Sequence, residues 1–157
     1  MSATALEAAR RMLEDAALET LPTPALDAIP SKFYDAFVLR GLKVLIAEPR
    51  RLLCSLTVPP RLLNTGKFMH GGATASLVDL VGSAVFYTAG VETRGAPFEM
   101  SIAYLDAAFA DEEIDIEAKV LRTGKAVGVA TVELRKKNGK IIAHARYTKY
   151  LASLSKL

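Results

Sequence analysis

The most restrictive feature of this sequence is a long apolar segment that carries a single charge. Residues 73–91 read ATASLVDLVGSAVFYTAGV, and Asp79 is the only acidic or basic side chain between His70 and Glu92. A helix that is apolar almost all round must be covered on most of its sides. A carboxylate near the centre of a membrane span would cost about 2.5–3.5 kcal/mol on insertion. We therefore expect a helix over 72–88 buried in a protein core, not a membrane span.

Strands are predicted on both sides of this helix. Alternation of apolar and polar residues, interrupted by turn signals, predicts two strands before it and four after it. The expected ranges are 44–48, 52–58, 100–105, 114–121, 126–135 and 141–151. Asn138-Gly139 gives the strongest hairpin signal. We expect the four later strands to follow one another as a meander.

An antiparallel sheet that curls around one long central helix would cover that helix. The predicted fold class is therefore α+β, with such a sheet, one central helix and a helical extension at the N-terminus. The 157 residues suffice for one globular domain with its own core. Four to six strands still leave part of the helix and one face of the sheet uncovered, which favours dimerisation.

The two ends of the chain are expected to lie outside this domain. Residues 1–40 are predicted to form an N-terminal extension, with an amphipathic helix, a proline-containing linker at 20–30 and a short helix at 31–37. Residues 41–154 form the domain itself. The last three residues, Ser155-Lys156-Leu157, match the peroxisomal import tripeptide at the position where its receptor reads it. The sequence thus predicts a peroxisomal protein with the import receptor as a partner. The alternative is that the tripeptide occurs by chance in a cytoplasmic protein.

Composition argues against several classes of partner. Twenty basic and seventeen acidic residues give a formal net charge of +3, spread along the chain, so a nucleic-acid partner is not indicated. The single cysteine, Cys54, rules out an internal disulfide and is expected in the core. Two histidines leave little for a metal site, and we predict none.

Two groups near the central helix can carry chemistry. Asp79 is a candidate general base or nucleophile, because a carboxylate is costly in apolar surroundings unless it is paired, and such groups often occur in functional sites. The alternative is that Asp79 reaches the surface or caps local backbone. His70-Gly71-Gly72 precedes the helix, where free N–H groups and the helix dipole can stabilise an oxyanion; the alternative is a flexible loop. His70 and Asp79 lie about 13 Å apart along a helix axis, so joint action on one carbonyl requires a second subunit.

These residues resemble a known family. The run 64–79, NTGKFMHGGATASLVD, is similar to the small hotdog-fold acyl-CoA thioesterases of the phenylacetate-degradation type, in particular their eukaryotic subgroup. The likeness extends over roughly residues 40–151, through segments 94–97, 100–104, 120–125 and 139–151. It implies a hotdog fold, dimers that pair into tetramers, and hydrolysis of an acyl-CoA thioester without any cofactor beyond the substrate's own coenzyme A.

The resemblance also implies roles for individual residues. Asp79 would activate water or attack the thioester carbonyl, and the Gly71 N–H would polarise its oxygen from the other subunit. Asn64 would position water or substrate, and His70 would support the loop. The family often has a serine that orients the carboxylate, where this chain has Pro97. Either that role is dispensable, or a hydroxyl at Ser101 or Ser83 takes it over.

Basic side chains near a turn are the expected partners of the coenzyme A phosphates. Arg122 and Lys125 flank Gly124 in the manner of the family's nucleotide-side turn. Four weaker candidates for contact with coenzyme A are equally well explained as surface residues: Tyr104, Arg146, Lys149 and Tyr150.

Two other functions remain open from sequence. A hotdog hydratase or dehydratase would need an Asp–His pair, and the chain offers only His70 and His144. A non-catalytic acyl-CoA binding module would have no need of a carboxylate at position 79.

Overall fold

A computed structural model describes residues 3–18 and 23–152; the tripeptide 155–157 lies outside them. The chain divides into two compact units, Met1–Tyr34 and Asp35–Leu157. The first unit contains helices α1 (Ala3–Leu18) and α2 (Thr23–Asp27). Helix α2 lies where a linker was predicted, because Pro24 falls in its first turn, where proline is tolerated. Helix α3 (Phe33–Leu39) follows, close to the predicted short helix.

The second unit is one six-stranded antiparallel sheet with a helix against it. Its strands are β1 (Lys43–Glu48), β2 (Arg51–Thr57), β3 (Ala96–Tyr104), β4 (Glu113–Thr123), β5 (Val127–Lys136) and β6 (Ile141–Tyr150). Helix α4 (Gly71–Ala84) contacts β2 and all four later strands, and a 3-10 turn (Val85–Ala89) extends it. The predicted hotdog architecture, a sheet around a central helix, is confirmed.

The expected meander of four strands is wrong for β3. The strand order is β1-β2-β4-β5-β6-β3, so β3 pairs with β6 and β4 pairs with β2. Consecutive strands pair only as a tendency, and α4 intervenes between β2 and β3. The chain that leaves the helix joins the sheet at its far edge. Because β3 is an edge strand it tolerates Pro97, and it begins at Ala96, four residues before the predicted start.

Helix α4 is held by its apolar face. Leu77 and Val78 are fully buried, and Val81 nearly so. A Cβ at Gly82 would lie 3.1 Å from Tyr147 and from Val132, so glycine here lets the helix approach β5 and β6 closely. By length and composition alone the helical segment Gly71–Ala89 is apolar enough to cross a membrane. In this fold it is the core helix.

Truncation of the buried face of α4 should destabilise the protein strongly. We expect Leu77→Ala to lower the free energy of unfolding by about 2–5 kcal/mol, through lost apolar burial and the cavity left behind. Leu45→Ala is the matched control, because Leu45 on β1 is 50% exposed; its cost should stay near 0.5 kcal/mol. Chemical denaturation measures both. Equal losses would mean that α4 is not the centre of the core.

Candidate active site

Asp79 lies half-buried on α4, at the wall of a cavity of about 420 Å³. The walls come from α3, α4, the start of β3 and the end of β6. The residues that line the cavity are Asp35, Leu39, Asp79, Leu80, Ser83, Ala84, Tyr87, Arg94, Gly95, Pro97 and Lys149. Polar and apolar groups thus converge on the single charge of the central helix. A cleft of this size with a carboxylate in its wall is a candidate binding or catalytic site.

The carboxylate of Asp79 is held by a buried tyrosine. The Tyr147 hydroxyl donates a hydrogen bond of 2.6 Å to Oδ1 of Asp79. The Ser83 Oγ lies 2.8 Å from the same Tyr147 oxygen. Tyr147 is fully buried, and burial, together with the bond to Asp79, raises its pKa well above the usual range. The phenol therefore keeps its proton and remains a donor.

Sequence analysis missed Tyr147. The available signal was its place in β6, where Ala143, Ala145, Tyr147 and Lys149 alternate on the buried face. A tyrosine on such a face brings an apolar ring and a hydroxyl that needs a partner. The pattern thus indicated that Tyr147 faces the core, but not which residue its hydroxyl meets.

Lys149 shares the cavity with Asp79. It is only 4% exposed. Burial lowers the pKa of its ammonium group, the nearby Asp79 charge opposes that shift, and Arg94 adds to it. From the sequence, Lys149 was expected either to contact coenzyme A or to be an ordinary surface charge. The structure puts Lys149 instead on the inner face of β6, beside Asp79.

The other predicted group lies at the start of α4. His70 caps the helix, and its Nδ1 accepts a hydrogen bond of 2.8 Å from the Gly72 N–H. Gly71 is the first helical residue, so its N–H has no acceptor within the helix. The Tyr104 hydroxyl donates to the Gly71 carbonyl oxygen at 3.1 Å. This end of the helix opens on a second cavity of about 230 Å³, lined by Gly71, Tyr104 and Phe68 among others.

Asn64 belongs to the loop that leads into His70. Its backbone N–H donates to the Phe68 carbonyl at 2.8 Å, and its Oδ1 accepts from the Phe68 N–H at 3.3 Å. The His70 N–H donates to the Leu62 carbonyl at 2.8 Å, which ties the end of the loop to its beginning. Since Oδ1 is engaged, what Asn64 offers a ligand is its NH₂ donor pair.

Within one chain the two groups stay apart. Gly71 and Asp79 are eight residues from each other on α4, about 12 Å along its axis, and they line different cavities. One group contains Asp79, Tyr147, Ser83 and Lys149. The other contains Asn64, His70, Gly71 and Tyr104.

The structure bears on which hydroxyl could replace the family serine that is Pro97 in this chain. Pro97 does line the Asp79 cavity, but it has no hydroxyl. Ser101 pairs with Arg146 in the register of β3 with β6, on the face opposite Tyr147. Of the two alternatives, only Ser83 reaches the carboxylate, and it does so through Tyr147.

The other predicted coenzyme A residues lie at the turn between β4 and β5 and on the outer face of β6. Arg122, Gly124 and Lys125 are exposed at the end of β4 and in the turn to β5, where the Gly124 N–H donates to the Val127 carbonyl at 2.9 Å. Tyr150 lies on the face of β6 opposite Tyr147. Arg146 is on that outer face too, paired with Glu99 at 3.2 Å.

Other reactive groups are few in the described residues. No group of three His, Cys, Asp or Glu side chains there could hold a metal ion. Cys54 is buried in β2, and burial raises the pKa of its thiol to about 11, which disfavours the nucleophilic thiolate at neutral pH.

Comparison with known proteins gives consistent matches. Residues 66–143 match the Thioesterase superfamily. Acyl-coenzyme A thioesterase 13 of Mus musculus is 35% identical over 117 residues, which cover 74% of this chain and 84% of that protein. The crystal structure of zebra fish thioesterase superfamily member 2 matches with a TM-score of 0.73 and 36% identity, over 82% of this chain and 91% of that one.

A more distant structure shares the fold. The E. coli PaaI protein, from the phenylacetic acid degradation operon, matches with a TM-score of 0.63 and 24% identity, over 76% of this chain and 85% of that one. At this identity the likeness concerns the fold alone.

Proposed function

Because this chain belongs to the thioesterase superfamily, we propose that it hydrolyses acyl-CoA thioesters to a free acid and coenzyme A. The observation that carries the proposal is the Asp79 carboxylate, half-buried in the wall of a cavity and held by the Tyr147 hydroxyl. The name of the mouse relative, an acyl-coenzyme A thioesterase, supports the substrate class.

Hydrolysis requires a nucleophile on one side of the carbonyl and hydrogen-bond donors on its oxygen. In this proposal Asp79 takes a proton from water as the water oxygen adds to the carbonyl carbon. Alternatively, its carboxylate attacks that carbon itself, and water then hydrolyses the acyl–Asp79 anhydride. The Gly71 N–H stabilises the oxyanion, and the Asn64 NH₂ positions the water or the substrate. Collapse of the intermediate expels the coenzyme A thiolate. His70, by capping α4, keeps the Gly71–Gly72 backbone in place.

In this proposal Asp79 belongs to one subunit, and Gly71 and Asn64 belong to its partner. Two observations support a dimer. Gly71 and Asp79 of one chain are about 12 Å apart along α4, too far to act on one carbonyl. Edge strand β3 also exposes apolar side chains, with Phe98 at 71% and Leu105, just past its end, at 59%. Pairing through this edge would cover both, and two dimers would form the tetramer that the family resemblance implies.

The coenzyme A moiety is proposed to bind at the turn between β4 and β5. Arg122 and Lys125 are exposed there, and neither takes part in an ion pair among the residues described. Their charges suit the phosphates. Tyr104 beside Gly71, and Tyr150 at the end of β6, are proposed as further contacts.

Within one chain, the positions of the histidines do not favour the hydratase alternative. His70 uses its ring as a helix cap. His144 lies on the outer face of β6, away from Asp79. Neither forms an Asp–His pair with Asp79 in the chain as described.

Removal of the carboxylate should lower turnover strongly. Asp79→Asn keeps the size of the side chain and an acceptor for Tyr147, and we expect kcat to fall roughly 10²- to 10⁴-fold, the usual contribution of a general base. Release of coenzyme A thiol from short, long and aromatic acyl-CoAs is the assay. Because the Cys54 thiol is buried, the folded protein itself should add little background.

Asp111→Asn is the matched control for that variant. Asp111 is exposed and has a backbone φ of 65°, which asparagine tolerates, so the wild-type rate is expected. Near-normal turnover by Asp79→Asn would reject the assignment. Binding of acyl-CoA without thiol release would indicate a binding module, and a change in double-bond absorbance without thiol would indicate a hydratase.

A site shared between subunits predicts complementation. Asp79→Ala and Asn64→Ala should each be inactive alone. A mixed dimer has one complete site and one doubly defective site, so purified mixed dimers should show about half of the wild-type rate. Co-expression with two different tags, followed by tandem purification, provides the mixed dimers. If they have no activity although both variants fold and pair, Asn64 and Asp79 do not act from different chains.

Peroxisomal import is proposed from the terminal Ser155-Lys156-Leu157. A fluorescent protein fused to the N-terminus should accumulate in peroxisomes, and deletion of Leu157 should leave the fusion in the cytosol. The matched control replaces Ser153, outside the tripeptide, by Ala and should still be imported. Diffuse fluorescence of the full-length fusion would reject peroxisomal import and would mean that the tripeptide matches by chance.

A further inference from the structure

We propose that Tyr147 is the positioning residue of the Asp79 carboxylate, with Ser83 fixing the tyrosine hydroxyl in turn. The inference rests on the proposed hydrolysis at Asp79. It assigns to a residue of the sheet core a role in the reaction that Pro97, which lines the cavity without a hydroxyl, cannot take.

The direction of each hydrogen bond follows from chemistry. An ionised carboxylate only accepts, so the single phenol proton of Tyr147 goes to Oδ1 of Asp79. The Ser83 hydroxyl, 2.8 Å away, must then donate to the Tyr147 oxygen. Ser83 is four residues after Asp79 on α4, one turn along the same face. The three groups form a chain in which each bond polarises the next.

This chain fixes one carboxylate oxygen and leaves the other for the reaction. Among the hydrogen bonds of the residues described, none ends on Oδ2 of Asp79. A charge-assisted bond of 2.6 Å to Oδ1 restricts rotation of the carboxylate. Oδ2 is therefore the oxygen available to a water molecule or to the substrate carbonyl.

The tyrosine itself cannot move easily. It is fully buried, and its ring packs where α4 approaches β6 at Gly82; a Cβ there would lie 3.1 Å from the Tyr147 Cδ1. Tyr147 does not line the Asp79 cavity. It acts on the carboxylate and not on the substrate, so it should influence kcat and leave KM unchanged.

Tyr147→Phe removes the hydroxyl and keeps the ring. We expect kcat for thiol release to fall roughly 10- to 100-fold, the range for a lost hydrogen bond to a charged group, with KM within about twofold of wild type. Ser55→Ala is the control: Ser55 is also buried and bonded to a carboxylate, Glu113, but lies in β2 and lines neither cavity. It should keep the wild-type kcat.

A double-mutant cycle separates positioning from a structural effect. If Tyr147 acts through Asp79, Tyr147→Phe should change the residual rate of Asp79→Asn by less than about twofold. An equal loss in both backgrounds would overturn the inference. Should Tyr147→Phe not fold, Ser83→Ala serves in its place, with an expected loss of a few-fold that likewise disappears in the Asp79→Asn background.

The possible failures are distinguishable. If the wild-type protein releases no thiol from any acyl-CoA, the proposed function fails. If the wild type is active, Asp79→Asn loses at least about 100-fold in kcat, and Tyr147→Phe keeps kcat within about twofold, the hydrolytic function stands and the inference about Tyr147 is wrong.

Discussion

The structure depends on the burial of one helix. Helix α4 has an apolar face of Leu77, Val78 and Val81 that only a surrounding sheet can remove from water. The inner faces of β4, β5 and β6 alternate apolar residues toward it, and Gly82 allows the close approach. The proposed function depends on two residues of this helix, Gly71 at its start and Asp79 in its middle.

Asp79 is the one charged residue of that helix, and neighbouring groups of the sheet stabilise it. An unpaired carboxylate in such a place would be strongly unfavourable. The sheet offsets the cost with a donor, the Tyr147 hydroxyl, and with the positive charge of the nearly buried Lys149. Residues of β6 that stabilise the buried charge are therefore the same ones that determine how the carboxylate is oriented, which links stability of the core to chemistry.

Sequence predicted what depends on local pattern. The apolar run predicted the central helix, alternation predicted the strands, and His70-Gly71-Gly72 marked the helix start that His70 caps. Two features could not be obtained in this way. The pairing of β3 with β6 is decided by where the chain leaves the helix, a long-range effect. The Tyr147–Asp79 contact joins residues 68 positions apart; the strand pattern gave the face of Tyr147 but not which helical residue its hydroxyl meets.

In the proposed mechanism, the geometry of α4 also makes catalysis depend on assembly. Its N-terminal amide and its only carboxylate are separated by two turns, and a straight helix cannot bring them together. A second copy related by a two-fold axis can place the start of one helix against the middle of the other, twice per dimer. Edge strand β3 has exposed apolar side chains and unpaired backbone on its outer side, which suits such an axis. If the sites form in this way, an isolated protomer holds two incomplete halves, and loss of the dimer removes activity without any change in the core around Asp79.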